Sequence, residues 1–206
     1  MKHLIKDIRQ ELELISPEHL KITKKKYATK QEIAEFEKES GLVFPDDLKE
    51  FWTTCDFEIT ASTDIYKDLD CDMGPSFFTF DELEYLVPYW EENAGHDFDE
   101  EFSSGAYFHF KNRGYKENIL IDKVFDKAWF PIAVDSFDGS ICIDLNPGQN
   151  GTYGQLLYMM YIGDSKSGPY YTGFKSLKAF LEYHLHILKT RKIEVEEKIV
   201  YPLTHF

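Results

Sequence analysis

The chain has 206 residues, 43% of them hydrophobic and 16% aromatic, with a formal net charge of −14. That length suits one substantial core, and a single domain over 1–206 is expected rather than two. The composition is that of a folded globular protein, no apolar run approaches the ~20 residues that span a bilayer, and so negative a balance argues against nucleic acid as a ligand. In chain order, Met1-Lys2-His3-Leu4-Ile5-Lys6-Asp7 turns polar before a signal-peptide core can form, so a cytoplasmic protein is expected. Leu4, Ile5, Ile8, Leu12 and Ile15 recur at helical spacing and predict an amphipathic N-terminal helix over 2–15, ending before Ser16-Pro17. After the exposed connector Lys24-Lys25-Lys26, Thr29-Lys30-Gln31-Glu32 reads as a capping box, with Ile33 and Phe36 as the apolar face and Gly41 as the left-handed stop. Pro45 suits a first helical turn, Asp46 and Asp47 suit the positive end of the dipole, and Leu48, Phe51 and Trp52 form the buried stripe of a third helix.

The charge is not spread evenly. Residues 55–110 hold 15 of the 37 carboxylates and one basic residue, Lys67; the rest of the chain is balanced. The same stretch holds 13 of the 33 aromatic residues, among them Phe57, Tyr66, Phe77, Phe78, Phe80, Tyr89, Trp90, Phe98 and Phe102. Acidic tails are poor in rings, so this mixture indicates a folded, acid-coated surface or a core segment with a wet acidic exterior. Inside it, Leu83, Leu86, Tyr89 and Trp90 predict a helix from Asp81 to about Trp90, which Pro88 should end or bend.

From Tyr107 the period changes to two. Tyr107-Phe108-His109-Phe110, Asn118-Ile119-Leu120-Ile121 and Trp129-Phe130-Pro131-Ile132-Ala133-Val134 read as strands, and Asp138-Gly139 as a hairpin turn. Ile141, Ile143 and Leu145 mark one face of the returning strand, residues 146–151 a loop, and residues 155–162 a further strand. Leu177, Phe180, Leu181, His184, Leu185 and Leu188 form the strongest helical pattern in the chain. The tail, 190–206, is open to strand, helix or an extended arm.

Two runs of these landmarks resemble the SUKH superfamily, the Smi/Knr-like domain of many bacterial immunity proteins and some eukaryotic regulators. The first is Thr29, Glu32, Ile33, Phe36, Glu37 and Gly41 into Leu42, Phe44-Pro45, Leu48 and Phe51-Trp52. The second is Phe130-Pro131-Ile132-Ala133, Gly139, Ile143-Asp144, Gly154 and Phe174 through Leu181. The resemblance covers a core of about 29–188. It implies an α+β fold with a twisted, largely antiparallel sheet flanked by helices, no catalytic residues and no cofactor. It also implies a cognate protein toxin as partner. Where the family often turns through asparagine-glycine after the second helix, this chain has Cys55-Asp56-Phe57, so the acidic insert has no template.

Other chemistry is weakly signalled. Cys55, Cys71 and Cys142 show no metal-ligand or disulfide spacing. Asp68-Leu69-Asp70-Cys71-Asp72-Met73-Gly74 misplaces the glycine of a calcium loop and lacks its closing glutamate. His184 and His186 point about 200° apart on a helix, so His184 packs inward and His186 faces water. His96 and His109 have no partner spacing, and neither Gly163 to Gly168 nor Gly148, Gly151 and Gly154 forms a nucleophile elbow or phosphate loop. With the acidic block, the resemblance implies a non-enzymatic immunity-type protein that binds a basic toxin, nucleases being one such class. Asp64, Asp68, Asp70, Asp72, Glu91, Glu92, Asp97, Asp99, Glu100 and Glu101 are its steering charges, and Tyr66, Phe98 and Phe102 its ring anchors. The alternative is a regulatory or scaffolding interaction module. The oligomeric state is open.

Overall fold

Apolar periodicity assembles the described residues into six helices and eight strands. The computed structural model describes residues 1–63, 76–94, 117–123, 125–134, 139–160 and 169–202. Helix α1 (Lys2–Ile15) buries Ile5, Ile8 and Leu12, and a single turn, α2 (His19–Ile22), follows it. Helix α3 (Lys30–Ser40) opens on the capping box: Thr29 Oγ1 accepts the Glu32 N–H at 3.2 Å, and Glu32 accepts the Thr29 N–H at 2.6 Å. It ends at Gly41, whose φ of 74° suits a residue without Cβ. In α4 (Asp46–Thr54), Pro45 is the N-cap, one place before the expected first turn, and Leu48, Phe51 and Trp52 are buried.

The main sheet is an antiparallel meander, each strand hydrogen-bonded to the next in sequence. Its strands are β1 (Thr60–Thr63), β2 (Ser76–Phe80), β3 (Trp129–Val134), β4 (Gly139–Asp144), β5 (Gln155–Met160) and β6 (Tyr170–Tyr171). Pro131 has no N–H for a central ladder, and the β3–β4 register shifts between Pro131 and Ala133 to accommodate it. Helix α5 (Leu83–Ala94) follows β2, and α6 (Leu177–Lys189) follows β6. Together these elements form the expected α+β architecture.

The centre of the sheet is dry on both faces, all six residues of β4 being buried. On one face Phe78, Phe80, Phe130, Ile132, Ile141, Ile143 and Leu156 meet the helices. The rings of Phe44 and Trp52 lie 5.0 Å apart, and that of Phe130 lies 5.0 Å from Phe44. Each such side chain, fully buried, contributes about 1.5–3 kcal/mol. On the other face Trp129, Cys142, Leu157 and Met159 are covered by Leu120.

Leu120 reaches that face from a loop, and the expected strand at 118–121 is not formed. Asn118 has a φ of 54°, incompatible with a strand. The segment docks through its carbonyls instead: Gly148 N–H donates to Ile119 O and Asn150 N–H to Asn118 O, both at 2.9 Å. Its apolar run fills a second cluster without joining a ladder, a distinction that a short run of three cannot make. Of the two outcomes expected at Pro88, an end or a bend, the helix does not end there: α5 continues through Pro88 to Ala94. Pro88 is exposed, and the turn beyond it is anchored by Trp90, whose indole N–H donates to Lys127 O at 2.9 Å. The expected strand at 107–110, the turn residue Asp138 and the strand end at 161–162 lie outside the described residues.

The tail forms a hairpin, β7 (Ile193–Glu196) and β8 (Ile199–Pro202). His19 binds it to the body: its Nδ1 accepts the Val200 N–H at 3.3 Å, so its Nε2 carries the proton toward Glu58 O at 3.2 Å. His184 is buried in α6 and His186 is exposed, as their spacing predicts.

Candidate functional site

Three of the seven described carboxylates of the acidic stretch stand on one helix, α5. Leu83 and Leu86 of α5 point into the core, and Trp90 stacks edge-on to Phe36 at 5.5 Å. The opposite side carries Glu84, Tyr85, Pro88, Glu91 and Glu92, all exposed. Spacings of one, four, seven and eight residues from Glu84 place these five within about a third of the helix circumference. Tyr85 is 62% exposed, a large ring left in water. None of the three glutamates forms an ion pair among the described residues. Glu91 and Glu92 also stand in the C-terminal half of the helix, where the dipole is negative and a carboxylate costs about 0.3–1 kcal/mol. That placement disfavours the isolated fold.

Of the thirteen residues predicted to bind a partner, Glu91 and Glu92 therefore lie together on an open face. Asp64, Tyr66, Asp68, Asp70, Asp72, Asp97, Phe98, Asp99, Glu100, Glu101 and Phe102 lie outside the described residues. Glu84 and Tyr85 were missed, although their seven-residue spacing from Glu91 and Glu92 is visible once a helix is assumed.

The remaining described carboxylates of the stretch are engaged. Asp56 pairs with Arg9, whose guanidinium also lies 4.7 Å from the centre of the Phe57 ring. Lys25 sits between Asp81 at 3.0 Å and Glu58 at 4.0 Å. Burial raises the Glu58 carboxyl above its ordinary range, with nearby Asp81 adding and Lys25 opposing. Several rings of the stretch are likewise structural: Phe57, Phe78 and Phe80 are wholly buried. The aromatic richness of this segment serves the core as well as the surface.

Among the described residues, the other buried reactive groups are set for packing. Burial pushes the thiols of Cys55 and Cys142 up to about 12, far from a thiolate at neutral pH. Asp144 is raised to about 6, again by burial, against hydrogen bonds from Gln155, Asn146 and Trp129. Its Oδ1 accepts from Trp129 Nε1 at 3.1 Å and Asn146 N–H at 3.0 Å, and its Oδ2 from Gln155 Nε2 at 2.8 Å. A carboxylate so enclosed holds a loop in place and has no route to a substrate. Burial, with His19 nearby, lowers His184 to about 4. Among the described residues no group of three or more His, Cys, Asp or Glu is arranged to hold a metal ion. None of the described helices is long and apolar enough to cross a membrane.

The model of the SMI1 / KNR4 family (SUKH-1) matches residues 27–183. A comparison with the curated proteins found no match. The matched span begins just before the capping box, takes in both sheet faces and the Asp144 network, and ends within α6; α1 and the β7–β8 hairpin lie outside it. Capping box, left-handed Gly41, bulged β3, meander and the start of the closing helix all fall within the matched span, and the protein belongs to the SMI1 / KNR4 family (SUKH-1).

Proposed function

We propose that this protein is an immunity-type binder that neutralises a basic protein toxin by occupying its surface, without chemistry of its own. The observation that carries this reading is the α5 face, where Glu84, Glu91 and Glu92 stand with the exposed Tyr85 and form no ion pair among the described residues. Family membership supports it, since the SUKH family is associated with immunity proteins. The excess of acid in residues 55–110 extends the same sign of charge along the adjoining sequence. Concentrated charge accelerates encounter with an oppositely charged partner, and an exposed ring supplies the contact that slows release.

The test is a cell producing a toxin domain encoded beside this protein, with and without it, followed by stopped-flow binding of the purified pair. Protection of growth is expected. Glu91→Lys with Glu92→Lys should slow association about tenfold or more at low salt, and Tyr85→Ala should mainly speed dissociation. Protection that survives all three substitutions together, with an association rate indifferent to salt, removes α5 from the interface. A partner that binds without being toxic supports the scaffolding alternative instead.

A further inference from the structure

Hairpin β7–β8 lies beyond the residues matched by the family model and apart from the α5 face. Its turn is two residues long, and Glu197 and Lys198 both have positive φ, 45° and 74°. That is type I′ geometry, which makes the flanking pair, Glu196 and Ile199, a hydrogen-bonded one. Alternation then leaves Val195–Val200 and Ile193–Pro202 as non-hydrogen-bonded pairs. Two observations agree with this phase. Pro202 has no N–H to contribute, and the Val200 N–H leaves the ladder for His19. On β7, therefore, the N–H and C=O of Ile193 and Val195 point away from β8.

The two edges of the hairpin differ. The β8 edge is occupied by His19 and stands beside β1. The β7 edge is paired with no other described strand, and neither proline nor a bulge blunts it. Val195 is 47% exposed although its cross-strand neighbour Val200 is buried. The apolar side of the hairpin thus ends on an uncovered valine. The opposite side of β7 carries Glu194 and Glu196, both exposed, and neither has an ion pair among the described residues. A second copy of this chain is a poor occupant, because antiparallel pairing about Val195 would set Glu194 opposite Glu196 of the other copy, twice over.

We infer that the outer edge of β7 is a docking site for an extended segment of a partner protein in which lysine or arginine alternates with apolar residues. The segment adds as a third strand. Its backbone pairs with Ile193 and Val195, its apolar residues extend the Val195 side, and its cations stand opposite Glu194 and Glu196.

The probe is a blocked, fluorescently labelled heptapeptide alternating lysine with valine, titrated into the full chain by anisotropy; comparison peptides replace lysine by glutamate or N-methylate the valine amides. The lysine peptide is expected to saturate, to bind at least about tenfold tighter than the glutamate peptide, and to lose binding on N-methylation. Val195→Pro removes an outward N–H without touching the β7–β8 ladder and should weaken binding about tenfold or more. If that variant does not fold, the N-methylated peptide decides alone. Absence of saturable binding, equal affinity for both charge types, or unchanged affinity after N-methylation or in a folded Val195→Pro variant overturns the inference. So does a concentration-dependent dimer that Val195→Pro dissolves, since the edge then belongs to a second copy. Glu91→Lys with Glu92→Lys should leave this binding unchanged, which separates its failure from that of the α5 reading.

Discussion

Replacing Asp144 by asparagine tests the buried network that docks the 117–121 loop on the sheet. The asparagine oxygen can still accept from Trp129 and Asn146, but its amide would confront the Gln155 amide nitrogen that now donates to Oδ2 at 2.8 Å. Gln155 cannot flip to relieve this, because its Nε2 also donates to Ile119 O at 3.0 Å and its Oε1 accepts the Thr152 N–H at 2.9 Å. Two facing donors in a dry site cost about 1–3 kcal/mol. The more specific signature is in pH. Burial lifts the folded-state value from 3.8 to about 6, so the folded chain takes up this proton before the unfolded chain does. The resulting stabilisation is complete below 3.8 and disappears as pH rises through 6. Between pH 4.5 and 7.5 those values give a change of about 2 kcal/mol from this one group. Urea unfolding of both proteins at the two pH values isolates it, since all other titrations cancel. The variant should lose about 2 kcal/mol more, relative to wild type, at pH 4.5 than at pH 7.5. A difference that is the same at both pH values refutes the reasoning.

His184 acts in the opposite direction: its value falls from 6.5 to about 4, so stability is lost as pH drops below 6.5. His184→Leu should remove about 2.5 kcal/mol of the acid loss between pH 7.5 and 4.5, measured by the same titrations. Gly148→Ala would place a methyl group 2.4 Å from Asn118 O and 2.9 Å from Leu120 O. It should cost about 1–3 kcal/mol and raise hydrogen exchange at the amides of Gly148 and Asn150. Thr29→Ala removes one half of the capping box and should cost about 1 kcal/mol in denaturant unfolding.

The helices were legible because their ends carry chemistry of their own. The Thr29–Glu32 box, Gly41 and the 177–188 stripe each name a boundary or a face in a few residues. The strands divided by how they bury. Residues 129–134 read correctly as an apolar, ring-bearing run and Ile141 and Ile143 as one face of the returning strand, which begins at Gly139, a residue expected in the turn, and stops before Leu145, whereas β1, Thr-Ala-Ser-Thr, shows neither a run nor an alternation and went unseen. Residues 118–121 misled for a related reason, since an apolar triplet looks the same in a ladder and in a docked loop. At Pro88 only the ending was excluded, the turn beyond it being held by Trp90. Of the candidate face on α5, half was legible. Charge asymmetry directed attention to Glu91 and Glu92, while Glu84 and Tyr85 become neighbours only when four and seven residues of helix are wound. The hairpin edge gave no compositional sign, because its meaning lies in the phase of a ladder.

The sequential order of the main sheet has a bearing on how such a protein can change. Each strand pairs with its predecessor, so the β2–β3 register, Thr79 with Val134 and Phe80 with Ala133, depends on the two strands and not on how much chain runs between them. Doubling the length of a connecting segment raises its closure penalty by only about 0.6 kcal/mol. The connection between these two strands can therefore change in length at little cost to their register, provided that the parts of it that pack, Leu83, Leu86 and Trp90 of α5 and Leu120 of the docked loop, are kept.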